Sequence, residues 1–229
     1  MSSMTQKGAV VMAENTATLE TVETQSGRVP LRRSPAAHLV EMMRAADVTG
    51  ERGVALSEVA FAVQTGVRAV PGTPSAQRVE EALGITLPTR HGQTTGHADG
   101  LHALWLSPDE FLVVDVSREQ APGEAEEFAG CLEGLPGQVL DLSANRAILQ
   151  LSGPSSREVL EKGCPMDLHP RAFPVGTAVA TQVGPVPLIL HRGAEDGWRL
   201  YPRASFTDYM VRWLVDAMEE FGSEELTVC

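Results

Sequence analysis

The stretches GTPSAQRVEEALGITLP at 72–88 and SGPSSREVLEKGCPMDLHP at 152–170 share one pattern, and that pattern decides the fold. Each has a Gly and a Pro at a turn, then a Val/Leu helix, then a Gly, and then a Leu shortly before a Pro. A hairpin and an amphipathic helix follow in each half. The copies lie about 80 residues apart, which is too long a period for a solenoid. A duplicated unit of strands and helices favours an α+β sandwich, with facing sheets and outer helices.

The first half contains clear helix and strand signals. A helix is predicted from Pro74 to Gly84, because Pro is favoured at the first helical turn and Gly just past the last. The segment 102–116 places HALWL and FLVVDV on either side of a turn, which predicts a β-hairpin. The stretch 54–70 alternates β-branched and small residues, and this indicates extended structure with a turn or bulge at Gly66.

The second half shows the same kinds of element. A helix is predicted from Gly153-Pro154 to Lys162-Gly163, with Gly163 at the C′ position where a positive φ favours glycine. Two strands joined by a turn at 143–145, and three later strands, are predicted at 138–142, 146–151, 177–183, 186–191 and 198–201.

The last helix has the strongest periodic signal. Ser205 is its expected N-cap, and Asp208 lies where the acid of a capping box belongs. One apolar stripe at helical spacing comprises Phe206, Tyr209, Met210, Trp213, Leu214, Ala217, Met218 and Phe221.

The domain organisation follows from where these signals begin and end. Residues 1–33 have no lasting period and are interpreted as a flexible extension. Ser34-Pro35 is a good N-cap and first helical pair, so the fold is expected to begin there. We therefore expect one αβ domain over 34–221 and a short tail at 222–229. The domain contains two pseudo-repeats, at about 53–134 and 138–221, and an acidic helix at 122–132 closes the first.

Composition excludes some partners. The net charge is −12, with 30 acidic against 18 basic residues, so we expect no nucleic-acid partner. No apolar run reaches the roughly 18 residues that span a bilayer, and no membrane partner is expected. Cys131, Cys164 and Cys229 are far apart and form no C-x-x-C, which fits a reducing, cytoplasmic location.

Two clusters were weighed as ligand sites. Ser152 to Ser156 lies at a helix start and could hold a phosphate, but a turn and cap is the favoured interpretation. His91, His97 and His102, with Asp99 nearby, could bind a metal, but a solvated Gly/Thr loop is favoured over convergent ligands.

Other chemistry is not marked by any motif. The sequence has no dinucleotide-binding G-x-G-x-x-G after a strand and no Walker loop. Asp115, Asp141 and Glu158 are the expected half-buried carboxylates, but no spacing marks two of them as an acid and base pair. Trp105 and Trp198 are expected in the core.

Four segments resemble one family. They are LWLSPDEFLVV at 104–114, DLHPRAFPVGT at 167–177 with its upstream Gly-Pro helix, VPLILHR at 186–192 and DGWRLYPRASFTDYMVRWLVDAM at 196–218. The chain is similar here to the gamma subunit of heterotetrameric sarcosine oxidase, over most of residues 35–221. That family is in turn similar to the folate-binding aminomethyltransferase fold, and the resemblance implies two swapped αβ halves.

The resemblance also implies a function. Such an enzyme has alpha, beta, gamma and delta subunits and oxidatively demethylates sarcosine to glycine, producing hydrogen peroxide. With tetrahydrofolate it yields 5,10-methylene-tetrahydrofolate. FAD, FMN, NAD, tetrahydrofolate and zinc are implied for the other subunits, and we expect no cofactor, metal or catalytic residue on this chain. Folate-binding relatives use an acid-containing segment that corresponds to 182–189 here, and this segment has no Asp or Glu.

One loop is a candidate partner contact. Asp167 to Pro174 carries His169, Arg171 and Phe173 between two prolines, and Arg and aromatic residues are enriched at interface hot spots. The alternative is that Leu168 and Phe173 plug the end of a sheet while Asp167 caps a turn.

Two other functions stay open. One is a stand-alone folate-binding aminomethyltransferase-like protein, and folate binding by the isolated chain would indicate it. The other is an interaction module outside any oxidase, which would not copurify with a flavin-containing partner.

Overall fold

The computed structural model describes residues 32–122, 128 and 130–222. The chain divides into two compact units, Met1–Arg32 and Arg33–Cys229, and the fold belongs to the second. The predicted extension at 1–33 and tail at 222–229 therefore lie almost wholly outside the described residues. The same holds for most of the acidic helix predicted at 122–132, of which a 3₁₀ turn at Gly130–Leu132 is described.

Ten strands form two antiparallel five-stranded sheets in the described part of the chain. The first sheet has the order β3-β4-β5-β2-β6, and the second has the order β1-β7-β10-β9-β8. The strands are β1 Ala55–Glu58, β2 Ala62–Arg68, β3 Thr94–Gly96, β4 Leu101–Ser107, β5 Glu110–Glu119, β6 Gln138–Asp141, β7 Leu149–Ser152, β8 Thr177–Val183, β9 Val186–Ala194 and β10 Gly197–Pro202.

The two halves exchange one strand each. Strand β1 starts the first half but pairs with β7 in the second sheet. Strand β6 starts the second half but pairs with β2 in the first sheet. Equivalent strands occupy equivalent places in the two sheets, so the prediction of duplicated, swapped αβ halves is confirmed.

Helices cover the outer face of each sheet. The helices are α1 Val40–Ala45, α2 Pro74–Leu83, α3 Ser156–Glu161 and α4 Thr207–Gly222. Helix α2 packs on the first sheet through Ala76 and Val79. Helices α1, α3 and α4 pack on the second sheet, where the core includes Trp198, Met210 and Leu214. None of the helices in these described ranges is long and apolar enough to cross a bilayer.

The inner faces of the two sheets form a third core. Leu104, Leu112 and Val114 come from the first sheet, and Ile189 and Tyr201 come from the second. Each of these side chains is at most 2% exposed. Because successive side chains of a strand point to opposite faces, every central strand contributes to both an inner and an outer core. The result is the predicted sandwich of facing sheets with helices outside.

Several local predictions are confirmed. Helix α2 begins at Pro74 and ends against Gly84, whose φ of 67° lies in the left-handed region. The hairpin predicted within 102–116 is β4 and β5. The three later strands are β8, β9 and β10. Trp198 is fully buried, and Trp105 is partly buried against the outer core of the first sheet.

The predicted reason for a glycine at position 163 is wrong, because the φ of Gly163 is not positive. Instead, a Cβ at Gly163 would lie 2.5 Å from Cζ2 of Trp213 and 2.9 Å from the backbone nitrogen of Gly184. Glycine is required here because α4 and the β8–β9 turn approach the end of α3 closely.

The predicted turn or bulge at Gly66 is also wrong. The chain turns at residues 59–61, where Phe61 has a φ of 58°, and β2 continues through Gly66. A Cβ at Gly66 would lie 2.5 Å from Cδ1 of Leu142, so the glycine makes room for that side chain. Residues 143–145 do not close a hairpin, because β6 and β7 belong to different sheets.

Two of the three residues predicted at helix starts make other contacts, and the third lies inside a 3₁₀ turn. Ser34 precedes the first helical residues, and its hydroxyl donates to the carboxylate of Glu58. Ser205 lies within the 3₁₀ turn Ala204–Phe206, which leads into α4 and has Arg203 at its N-cap. The carboxylate of Asp208 contacts His38 and Arg212 instead of closing a capping box. Phe206 and Tyr209, predicted in the apolar stripe, are 40% and 48% exposed.

Candidate functional site

A buried polar cluster lies between the two sheets, beside the inner apolar core. Strand β4 supplies His102, β9 supplies His191, and β10 supplies Arg199 and Tyr201. The two imidazole ring centroids are 5.3 Å apart. All four side chains are at most 7% exposed.

Hydrogen bonds fix the tautomer of His102. Its Nδ1 lies 2.9 Å from the carbonyl oxygen of Gly100, so Nδ1 carries the proton and donates. Its Nε2 is then an acceptor, 3.3 Å from the hydroxyl of Tyr201, which donates. In His191, Nδ1 is buried without a hydrogen-bond partner in the described part of the chain.

Arg199 ties this cluster to the loop before β4. Its Nε donates to Oε1 of Gln150 at 2.8 Å, and its Nη2 lies 3.1 Å from Oδ1 of Asp99. The other terminal nitrogen donates to the carbonyl of Ala98. These bonds satisfy the buried guanidinium, which would otherwise carry a large desolvation cost.

Burial keeps the cluster's other groups neutral. Desolvation lowers the pKa of His102 to about 4 and that of His191 to about 3, and the positive charge of Arg199 adds to both shifts. Desolvation also raises the pKa of the Tyr201 hydroxyl. A general base must reach the proton that it removes, and these side chains contact protein rather than solvent. The contact between His102 and Tyr201 links the two sheets.

Sequence reasoning missed most of this cluster. His102 was predicted at the start of a strand and considered only with the neighbouring histidines as a metal ligand, and His191, Arg199 and Tyr201 were not singled out. The available signal was alternation: His191 follows Ile189 by two residues, and Arg199 precedes Tyr201 by two, so both polar residues continue an inward-facing row.

The three histidines considered as metal ligands do not converge, as the favoured loop interpretation predicted, although His102 is not solvated. His102 is buried between the sheets, while His91 and His97 are exposed. Asp99 pairs with Arg199. Over the described ranges, no group of three or more His, Cys, Asp or Glu side chains could hold a metal ion.

The structure separates the three candidate carboxylates. Asp115 is 8% exposed, and it accepts hydrogen bonds from Ser117 and Arg118, which lower its pKa. Asp141 and Glu158 are exposed, so the prediction that they are half-buried is wrong. No pair of these residues forms an acid and base site.

The serines near Gly153 form a structural turn. Gly153 has a φ of 113°, and a Cβ there would lie 2.5 Å from the carbonyl oxygen of Gly53. Ser155 and Ser156 are buried, and the hydroxyl of Ser156 donates to the carbonyl of Asp196. The turn interpretation therefore fits better than a phosphate site.

The segment that corresponds to the folate-binding stretch is part of the core. Val183, Val186 and Leu188 are at most 3% exposed and pack under the outer helices of the second sheet. Glycine and proline at 184–185 form the β8–β9 turn. The segment offers no carboxylate side chain.

The candidate partner loop is divided between core and surface. Phe173 is 2% exposed and packs against Trp198 with ring centroids 5.3 Å apart, which fits the alternative that Phe173 plugs the end of a sheet; partner contact through Phe173 stays a prediction. Asp167 is exposed, and its Oδ1 accepts from the backbone N–H of His169. His169 and Arg171 are exposed, and for these three residues partner contact stays a prediction.

A groove of about 890 Å³ runs beside this loop. One wall is residues 90–94, and the other is residues 166–177. Arg90 and Arg171 both line the groove.

The two facing sheets and their exchanged strands define a fold class: a two-sheet, strand-swapped α+β protein with the aminomethyltransferase fold. An aminomethyltransferase of the glycine cleavage system from Bartonella henselae has this fold, with a TM-score of 0.52 and 16% identity over 77% of this chain and 48% of that one.

The family follows from closer relatives. Residues 68–220 match the model of the sarcosine oxidase gamma subunit family. A sarcosine oxidase subunit gamma from Corynebacterium sp. strain U-96 is 49% identical over 204 residues, which are 89% of this chain and 98% of that protein. A chain of the heterotetrameric sarcosine oxidase from Corynebacterium sp. U-96, in complex with pyrrole 2-carboxylate, matches with a TM-score of 0.81 and 50% identity. The match covers 86% of this chain and 99% of that one. The chain belongs to the sarcosine oxidase gamma subunit family.

Proposed function

We propose that this chain is a non-catalytic gamma subunit that supports a heterotetrameric sarcosine oxidase. Its partners are the alpha, beta and delta subunits. The assembled enzyme oxidatively demethylates sarcosine to glycine with release of hydrogen peroxide, and with tetrahydrofolate it forms 5,10-methylene-tetrahydrofolate. FAD, FMN, NAD, folate and zinc bind the other subunits.

One observation carries the proposal. The similarity to a chain of the solved heterotetramer extends over 99% of that chain at 50% identity. Such full-length similarity supports the same place in the same kind of assembly, whereas shared fold alone supports no activity.

The buried cluster supports a non-catalytic role. Two groups with strongly lowered pKa values, His102 and His191, are each 1% exposed. Altered pKa values are common at active sites, but buried structural networks produce them as well. Without access to substrate, these imidazoles serve the interface between the sheets.

A cytoplasmic location completes the proposal. Cys131 and Cys164 are free thiols. Free, unpaired cysteines are usual where glutathione and thioredoxin keep thiols reduced.

The isolated chain tests the non-catalytic role. Purified alone and verified by mass, it is expected to be colourless and to release no hydrogen peroxide from sarcosine. A visible flavin band or sarcosine-dependent peroxide from the single chain would contradict the proposal. Saturable binding of tetrahydrofolate by the single chain would instead favour a stand-alone folate-binding function.

A further inference from the structure

We propose that the groove between residues 90–94 and 166–177 binds an acidic segment of a partner subunit of the oxidase. This inference rests on the proposed function, because it assumes that the chain is assembled with a partner. It assigns the docking surface and the chemistry of the segment that fits it.

The walls of the groove are held in place before any partner binds. The hydroxyl of Thr94 donates to the carbonyl of Gly176 at 2.7 Å, and the N–H of Ala178 donates to the carbonyl of Gly92 at 3.1 Å. Gln93 and Thr177 form an antiparallel bridge between the walls. A preformed groove lowers the entropy lost on binding, which suits a docking surface.

The groove has an excess of unpaired positive charge. Arg90 and Arg171 are exposed, and neither guanidinium has a carboxylate partner in the described part of the chain. Four other surface arginines, Arg44, Arg68, Arg157 and Arg212, are each paired with a carboxylate. Asp167 also lines the groove and carries one negative charge, so the two arginines leave the lining with an excess of one positive charge. In a chain of net charge −12, this local positive charge favours an anionic ligand.

The groove also exposes apolar side chains. Met166 is 39% exposed and Val175 is 52% exposed, and both line it. Met and Arg are among the residue types enriched at protein interfaces. The two arginines come from different segments of the lining, residues 90–94 and 166–177, and the exposed apolar side chains lie in the second of these segments. An extended peptide segment with carboxylates beside aliphatic or aromatic side chains fits this arrangement better than a compact anion.

Charge reversal in the assembled complex tests the docking surface. Arg90→Glu, Arg171→Glu and the double variant are compared with Arg78→Glu, an exposed arginine on α2 that lies outside the groove. Each full-length chain is mixed with the remaining oxidase subunits, and the dissociation constant is measured at low and at high salt. Thermal unfolding of each isolated variant verifies that it folds like the parent.

The double variant is expected to bind about ten-fold or more weakly at low salt, with a smaller difference at high salt, because facing like charges repel and salt screens them. The control should bind within about two-fold of the parent, since it touches no proposed contact. Unchanged assembly of the double variant would contradict docking at the groove but not the proposed function. Failure of the parent chain to assemble would contradict the proposed function and docking at the groove together. If the isolated chain forms a dimer and charge reversal abolishes it, the groove binds a second copy of this chain, and binding of a partner segment there is contradicted.

Discussion

Mild acid is expected to destabilise the isolated subunit through the histidines between its sheets. In the folded protein the pKa of His102 is lowered to about 4 and that of His191 to about 3, against 6.5 for an ordinary histidine. Between the lowered pKa values in the folded protein and the ordinary value of 6.5, the histidines of the unfolded chain bind more protons than those of the folded chain. The free energy of unfolding is therefore greatest above pH 6.5 and falls as the pH drops toward 4.

The size of the effect follows from the shifts. One pKa unit corresponds to about 1.4 kcal/mol, so His102 alone removes about 3 kcal/mol between pH 6.5 and pH 4. Where both histidines are protonated in the unfolded chain but neutral in the folded one, the free energy of unfolding falls by about 3 kcal/mol for each unit by which the pH drops. This is a large share of the roughly 5–15 kcal/mol that stabilises an ordinary domain.

Urea unfolding between pH 7 and pH 4.5 measures this slope. In His102→Gln one titrating group is removed, so the slope is expected to fall by about 1.4 kcal/mol per pH unit. His97→Gln is the matched control, because His97 is an exposed histidine on the same part of the chain. Asp115 and Asp208 do not obscure the histidine effect. Their pKa values are lowered in the folded protein, so their contribution to the free energy of unfolding is lost only at more acidic pH. A free energy of unfolding that stays constant from pH 6.5 to pH 4.5, or an unchanged slope in His102→Gln, would refute the reasoning.

Two further predictions concern the packing of α4. Gly163→Ala places a Cβ 2.5 Å from the ring of Trp213, and we expect a loss of about 2 kcal/mol in urea unfolding. Gly130→Ala is its control, because a Cβ there meets nothing within 4 Å; equal losses in both variants would argue against the close approach. Trp213→Ala removes a large ring that packs against the outer core of the second sheet, and a loss of about 3 kcal/mol should leave little soluble protein. Unchanged yield and melting temperature in Trp213→Ala would show α4 to be peripheral.

Local pattern was enough to predict many of the elements. The Pro and Gly at the ends of α2 and the apolar runs of β4 and β5 are signals carried by adjacent residues, and each element formed where it was predicted. The duplicated pattern at 72–88 and 152–170 correctly implied two equivalent halves. In these cases the residues that set the structure are close together in the chain.

Long-range packing explains what the pattern did not reveal. Gly163 and Gly66 looked like turn residues, but distant side chains, Trp213 and Leu142, require them. The apolar character of Phe206 and Tyr209 fits the helix period, yet both stay exposed because the sheet covers only one side of α4.

The candidate site was the least predictable part. Its polar residues come from strands far apart in the sequence, and only the facing of the two sheets brings His102 and His191 together. For Phe173 the sequence left two interpretations open, because an aromatic residue between prolines is compatible with an interface and with a core. The neighbouring ring of Trp198, against which Phe173 packs, is not visible from the loop alone.

Native mass spectrometry of the tagged chain, purified from its own cells together with a visible absorption spectrum, tests the central claim most directly. The account predicts a complex of four different subunits with flavin absorption bands, from which this chain dissociates as a colourless species. A chain that purifies alone or with partners that carry no flavin would contradict it.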